Sequence, residues 1–311
     1  FSNYVNSDMN PSDVRSMCPL FGKQNVLVMD DYSKEFHVSS IENLYKGNKE
    51  IKEYSILLNG ETKRARINRF DGLKFYSIKT VSGQEVVFSN NHTNLTLNGL
   101  KRTDELTTDD YLPFNVTPIE GKGLGYDEGV LVGAFLGDGT IKDDYSLTYS
   151  LNETSKAEIM SEIIKIAEKK GAKININTLE RHCTNVTITS KMLRGLIEDY
   201  VHGTNAFTKE LDVKCINRSM NFREGILAGY YATDGGNHNR IYSASKKLID
   251  SVCTMLTSMG IASSICVDDR DSSTTLSDNP VYCIRFYDMQ SNASCYKDVF
   301  IKKEKESPRI L

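Results

Sequence analysis

Two aspartates stand where an α-helix disfavours them. Asp138 closes the stretch Leu131-Val132-Gly133-Ala134-Phe135-Leu136-Gly137-Asp138-Gly139, and Asp234 closes Leu227-Ala228-Gly229-Tyr230-Tyr231-Ala232-Thr233-Asp234-Gly235. Each stretch reads as an apolar helix ending in Asp-Gly. The macrodipole already makes that end of a helix negative, so a carboxylate there calls for a compensating cation. Glycine inside a helix costs up to roughly 1 kcal/mol relative to alanine. It is tolerated where a second backbone comes close, so Gly133 and Gly229 predict two helices packed face to face. Packed in parallel, they bring Asp138 and Asp234 together at one end, a pair suited to a divalent metal.

The elements that must position this pair repeat. After the first stretch, Ser146–Leu151 alternates as a strand. Ser155–Lys170 then reads as a helix with Ile159, Ile163, Ile164 and Ala167 on one face, stopped at Gly171. Lys173–Asn177 and Asn185–Thr189 are expected strands, and Lys191–Val201 a further helix. After the second stretch come a strand at Arg240–Ala244 and a helix at Ser245–Met259, with Leu248, Val252, Met255 and Leu256 inward and a stop at Gly260. Ala262–Val267 and Val281–Phe286 complete the second copy. The fold class is α+β, a pseudo-twofold pair of motif helix, strands, helix and strands.

Both stretches resemble the motif of the LAGLIDADG homing endonucleases, present in two copies in the single-chain members. The third and final positions match in both copies (Gly133 and Gly139; Gly229 and Gly235), and so does the acidic eighth (Asp138; Asp234), while the acidic sixth is replaced by Leu136 and Ala232. The resemblance implies an endonuclease domain over residues 121–299 whose exposed strand faces form a saddle on double-stranded DNA. It implies Mg²⁺ or Mn²⁺ held by Asp138 and Asp234, and metal-dependent hydrolysis of both strands at a long specific site. Intein-borne members carry a lysine in the block before the second motif. Lys209, in Phe207-Thr208-Lys209-Glu210-Leu211, takes that place and with it an implied catalytic role; Arg285 is the weaker counterpart in the second half. The expected DNA contacts are Lys142, Lys173, Arg181, Arg240, Arg270 and Arg285, with Lys191 and Arg194, all on or beside expected strands. Phosphate neutralisation by such residues makes binding salt-sensitive, although any one of them is also what a solvated strand face carries.

The first third of the chain has a different pattern. Short runs at Val26–Met29, Tyr54–Leu58, Arg64–Phe70, Lys74–Val81, Glu85–Phe88 and Asn94–Leu97 alternate, with hairpin signals at Asn59-Gly60, Ser82-Gly83 and Asn98-Gly99. This predicts an all-β module over residues 18–120. Its order of features resembles the first part of a Hint domain, the self-splicing core of inteins: Cys18 opens it, and Ser89-Asn90-Asn91-His92 stands for the Thr-x-x-His motif. The resemblance implies Cys18 as nucleophile for an N-to-S acyl shift of Met17, His92 polarising the scissile amide, and Ser89 in support. Taken singly, a lone cysteine is more often an inert small hydrophobe, and a lone histidine more often structural. Residues 1–17, Phe-Ser-Asn-Tyr-Val-Asn-Ser-Asp-Met and on to Arg15-Ser16-Met17, resemble a segment of anaerobic (class III) ribonucleoside-triphosphate reductases, an extein in this reading. The opening residue is Phe, which predicts a fragment or processed piece. Residues 300–311 are the expected start of the returning splicing segment, and with no His-Asn pair in the sequence the C-terminal splicing half is expected to be absent.

At 311 residues with a formal net charge of −3, two domains are expected and no global basic excess advertises nucleic acid. No apolar run reaches the eighteen or so residues of a membrane span, and no signal-peptide pattern opens the chain. Seven cysteines, odd in number and without a CxxC pair, fit free thiols in a reduced cytoplasmic compartment. The expected state is a monomer with internal pseudo-twofold symmetry. Two rivals stay open: a LAGLIDADG fold that binds DNA or RNA without cutting, as a maturase does, and an intein in which only splicing is active.

Overall fold

The computed structural model describes residues 20–47, 53–58, 61–67, 69, 74–112, 118–179, 182–268 and 280–287. The chain divides into two compact units, Phe1–Thr117 and Pro118–Leu311. No helix among the described residues is long and apolar enough to cross a membrane.

In the first unit, β1 (Asn25–Met29), β2 (Phe36–Ser40), β3 (Glu53–Leu58) and β4 (Glu61–Arg66) form an antiparallel sheet in the order β2-β1-β3-β4. Two hairpins follow, β5 (Phe75–Lys79) with β6 (Glu85–Ser89) and β7 (Thr93–Thr96) with β8 (Gly99–Arg102). Gly83 and Gly99 turn these hairpins with φ of 77° and 106°, a region open to glycine. The strand expected at Arg64–Phe70 forms earlier, as β4. The unit is mostly strand, with one short helix, α1 (Ile41–Gly47). Its cause is local: Ile41, Leu44 and Tyr45 repeat at helical spacing, the Ser40 hydroxyl accepts from the Asn43 N–H (3.2 Å), and Glu42 pairs with Lys46 one turn on.

The second unit is built twice over. Its first half runs α2 (Tyr126–Asp138), β9 (Gly139–Ile141), β10 (Ser146–Asn152), α3 (Ala157–Lys169), β11 (Lys173–Thr178), β12 (Cys183–Thr189) and α4 (Lys191–Tyr200). The short strands β13 (Val201–His202) and β14 (Glu210–Leu211) pair with each other and lead into the second half. That half runs α5 (Met220–Asp234), β15 (Gly235–Gly236), β16 (Arg240–Ser243), α6 (Lys246–Ser258), β17 (Ala262–Asp268) and β18 (Val281–Tyr287). The sheet orders β9-β10-β12-β11 and β15-β16-β18-β17 are the same topology in two copies.

Helix α2 is apolar all the way round, and Val130, Leu131, Val132, Ala134, Phe135 and Leu136 are all buried. A helix of that composition is stable only inside. In α3 the buried stripe is Ile159, Ile163, Ile166 and Ala167, so Ile166 takes the place expected for Ile164. Strands β10 and β12 alternate: Leu147, Tyr149 and Leu151, with Val186 and Ile188, face the helices. Their other face carries Thr148, Ser150, Asn185 and Thr187, joined in register by Asn175 and Asn177 of β11. In the second sheet Ile241 and Ile284 face inward, while Arg240, Tyr242, Arg285 and Tyr287 share the opposite face. Arg223 of α5 is fully buried; its guanidinium donates to Ser258 O (2.6 Å), Ser258 Oγ (3.0 Å) and Ile119 O, tying the end of α6 and the entry segment to the motif helix.

Candidate active site

The two motif helices meet at their glycines. A Cβ built on Gly129 would lie 2.9 Å from the Gly225 Cα, one on Gly133 2.0 Å from Ile226 O, and one on Gly229 2.3 Å from Val130 O. Contacts advance together along both helices, from Gly129 with Gly225 to Gly137 with Thr233, so α2 and α5 run parallel and end side by side. At that end a Cβ on Gly137 would lie 3.3 Å from the Asp234 carboxyl carbon. Asp138 and Asp234 are the last residues of their helices. The glycines after them are required by space: a Cβ on Gly139 would enter the Phe135 ring at 2.2 Å, and one on Gly235 would strike Tyr231 O at 2.1 Å. Asp-Gly is therefore a carboxylate at a helix end followed by immediate exit into a strand.

Lys209 lies far away in sequence and at the heart of this end in space. Only 7% exposed, its Nζ donates among Phe135 O (2.8 Å), Leu136 O (3.0 Å), Gly137 O (3.1 Å) and Gly139 O (3.0 Å). Three of these carbonyls lie in the last turn of α2, where acceptors outnumber backbone donors and a cation is also favoured by the dipole, and the fourth belongs to β9. The Ser245 hydroxyl donates to Lys209 O (2.6 Å) and fixes the backbone behind it. Burial pushes the Lys209 ammonium down to about 8, against the upward pull of Asp234 and Asp138, so at neutral pH it stays charged.

A second lysine, which the sequence does not single out, completes the charge pattern. Lys156 Nζ pairs directly with Asp138 Oδ2, and both side chains are mostly buried. Among the described residues Asp234 makes no ion pair of its own. Burial and then the Asp138 carboxylate push Asp234 up to about 6, opposed by Lys156 and Lys209. Because the folded state holds this proton more tightly than the unfolded chain, folding loses stability as pH rises from about 4 to 6. Asp234→Asn is therefore expected to be more stable than the unsubstituted protein above pH 6, by roughly 2–3 kcal/mol, and no more stable below pH 4. Thermal denaturation of both proteins across that range in chelator checks it; an advantage independent of pH would reject the shift.

Among the described residues no group of three or more His, Cys, Asp or Glu side chains forms a closed metal cage. Two carboxylates at paired helix ends instead fit a hard cation such as Mg²⁺, which keeps waters and takes further oxygens from substrate phosphates.

The expected basic contacts divide. Lys142 follows β9, and Lys173 opens β11 on the hydroxyl- and amide-bearing face, where a groove of about 450 Å³ is lined by Lys142, Thr148, Ser150, Asn175, Asn177 and Asn185 among others. Arg240 and Arg285 lie directly opposite each other on the second sheet, with Arg285 over the Tyr287 ring at 5.3 Å. Arg285 thus lies on a strand face. Arg181 and Arg270 lie outside the described residues. The helix expected at Lys191–Val201 forms as α4, capped by Ser190, with Lys191 exposed at its start just after β12; Arg194 is the correction, because it is buried, donating through Nε to Asp143 O (3.0 Å) and pairing with Glu198. The first strand face is thus mainly neutral and polar, where a basic cluster was expected.

In the first unit Ser89 and His92 are buried. The Ser89 hydroxyl donates to Asn91 Oδ1 (2.7 Å), and the His92 ring stacks on Phe88 with centroids 4.0 Å apart. Cys18 lies outside the described residues, as do residues 1–17 and 300–311.

No family model and no curated protein matches this sequence. Among solved structures the chain is similar to mesophilic variants of the homing endonuclease I-DmoI, with 17% identity and a TM-score of 0.37 over 52% of this chain and 88% of that one. It is similar to a variant of I-DmoI in complex with its target DNA in the presence of Mg, with 14% identity and a TM-score of 0.40 over 58% and 97%. It is also similar to the N-terminal LAGLIDADG domain of DUF199/WhiA, with 12% identity and a TM-score of 0.34 over 52% and 77%.

Proposed function

We propose that this chain is a divalent-metal-dependent endonuclease of the LAGLIDADG homing type, cutting both strands of duplex DNA at a long specific site. The observation that carries the reading is the pair of carboxylates at the ends of two parallel, glycine-interlocked helices. A plain binding surface for phosphates has no use for negative charge at two helix ends. Asp138 and Asp234 hold Mg²⁺ or Mn²⁺ in this reading. The chemistry supplied by the bound cation is activation of water and stabilisation of charge on the leaving 3′ oxygen. Lys209 is a positioning residue: its ammonium is engaged by the carbonyls on either side of Asp138, which favours bracing that carboxylate over direct work on water.

The strand faces supply recognition. Asn175, Asn177 and Asn185 suit the adenine edge in the major groove, and Arg240 and Arg285 the guanine edge. Lys142 and Lys173 suit phosphates. Binding to a selected duplex is expected to weaken with salt, and Lys142→Ala or Lys173→Ala each to reduce the log–log slope by about 1. A slope unchanged by both substitutions would remove them from the phosphate contacts.

The direct test is incubation with a randomised duplex library in Mg²⁺. Discrete double-strand breaks that vanish in chelator are expected. Retained duplex without breaks, in Mg²⁺ and Mn²⁺ alike, would make the protein a binder. For the first unit we propose the opening step of protein splicing, supported by the order of Cys18, Ser89 and His92. Dithiothreitol is then expected to release residues 1–17, and Cys18→Ala to block it; an intact N-terminus in the folded protein would end that reading and leave the nuclease untouched.

A further inference from the structure

Lys156 stands at a position its local surroundings do not favour. It is the N-cap of α3, with φ −119°, ψ 21° and no side-chain cap bond. N-caps favour Ser, Thr, Asn and Asp, which satisfy the first free N–H groups, and the positive end of the helix dipole repels an ammonium. The internal repeat supplies the comparison. The matching helix α6 begins at Ser245, whose hydroxyl accepts from the Leu248 N–H (3.3 Å), and α4 and α5 begin at Ser190 and Ser219 with the same cap bond. A residue that breaks a local rule obeyed by its repeat is held by something other than local structure. Here the Lys156 ammonium turns away from its own helix and pairs with Asp138 Oδ2, with both side chains mostly buried.

We infer that Lys156 is a built-in counter-ion, occupying the face of Asp138 that a divalent metal needs, so that metal binds only as this ammonium is displaced. The inference rests on the reading of Asp138 and Asp234 as metal ligands. The two lysines of this cluster then have separate tasks. Lys209 is fixed to backbone carbonyls and stays. Lys156 hangs from the start of a helix by a flexible stem, holds the apo site together, and is free to swing toward an approaching anion. DNA phosphate offers that anion, so Asp138 is opened to metal most readily when substrate arrives. The second half has no equivalent among the described residues, because Ser245 stands at the matching cap and its hydroxyl is committed to Lys209 O.

The test uses the full chain without DNA and reads lysine reactivity by mass spectrometry after brief acetic anhydride treatment, with and without Ca²⁺. Lys156 is expected to become severalfold more reactive when Ca²⁺ binds, while Lys209 stays protected. In Asp138→Asn, Lys156 is expected to be reactive from the start and indifferent to Ca²⁺. Mn²⁺ affinity, measured by calorimetry, is expected to rise roughly tenfold or more in Lys156→Met and Lys156→Gln, since both remove a positive charge from the ligand. Unchanged Lys156 reactivity, or unchanged Mn²⁺ affinity in both variants, while Asp138→Asn still abolishes Mn²⁺ binding, overturns this inference alone. Equal Mn²⁺ binding by Asp138→Asn and the unsubstituted protein overturns the metal-site reading on which it stands.

Discussion

Asp138→Asn and Asp234→Asn are each expected to lower double-strand cleavage by about 10³-fold or more, with the fold intact and DNA binding largely kept. The two halves of that expectation have one cause. Each carboxylate ends a helix whose dipole already opposes it, and the pair repel each other across the Gly137–Thr233 contact. An amide of the same shape removes both penalties and keeps the packing; at Asp138 the pair with Lys156 is given up in exchange, so the net change in stability there is small. What disappears, in the proposed nuclease reading, is the negative charge that would gather a cation. Loss of activity without loss of stability is the signature of a functional group, whereas a structural ion pair fails in both together. The measurement is single-turnover cleavage of a selected duplex beside thermal denaturation. Activity within tenfold of the unsubstituted protein for Asp138→Asn would remove it from the metal site.

The motif helices are legible in the sequence because their signals are redundant. An apolar run, glycines at Gly133 and Gly229, and a terminal Asp-Gly all ask for the same packed, parallel pair. The amphipathic helices α3 and α6 are legible from period and from Gly171 and Gly260, which close them at φ of 70° and 79°. The face of the first sheet departs from expectation for a physical reason. Lysines and arginines along the strands suggest a charged face, but register places Thr148 beside Thr187 and Asn177 beside Asn185, giving hydroxyls and amides on the exposed side. Arg194 lies on a helix the sequence does announce, but its burial against Asp143 O is set by a segment some fifty residues earlier and is not readable from local pattern. Lys209 is marked only by resemblance; its task is not readable from sequence, because the four carbonyls it meets belong to a helix and its exit some seventy residues earlier. Lys156 carries one faint signal, a lysine where the repeat has Ser245, visible only once the two halves are aligned by their helices.

The close approach of α2 and α5 makes the second large effect. Gly133→Ala is expected to destabilise the protein by about 3 kcal/mol or to prevent folding of the second unit. The added Cβ would lie 2.0 Å from Ile226 O and 2.8 Å from Tyr230 N, and both are backbone atoms of a helix. No rotamer change relieves the overlap; the helices must move apart. Separation at Gly133 also spreads the helix ends, so a variant that still folds is expected to lose cleavage more than a variant of equal stability damaged elsewhere. Gly195→Ala in α4 is the control, because nothing lies within 4 Å of its Cβ position. There the same substitution is expected to raise stability by about 0.5–1 kcal/mol through helix propensity and a less flexible unfolded chain. Chemical denaturation of the two variants side by side decides the matter. If Gly133→Ala proves as harmless as Gly195→Ala, the backbone interlock that sets Asp138 against Asp234 is not there.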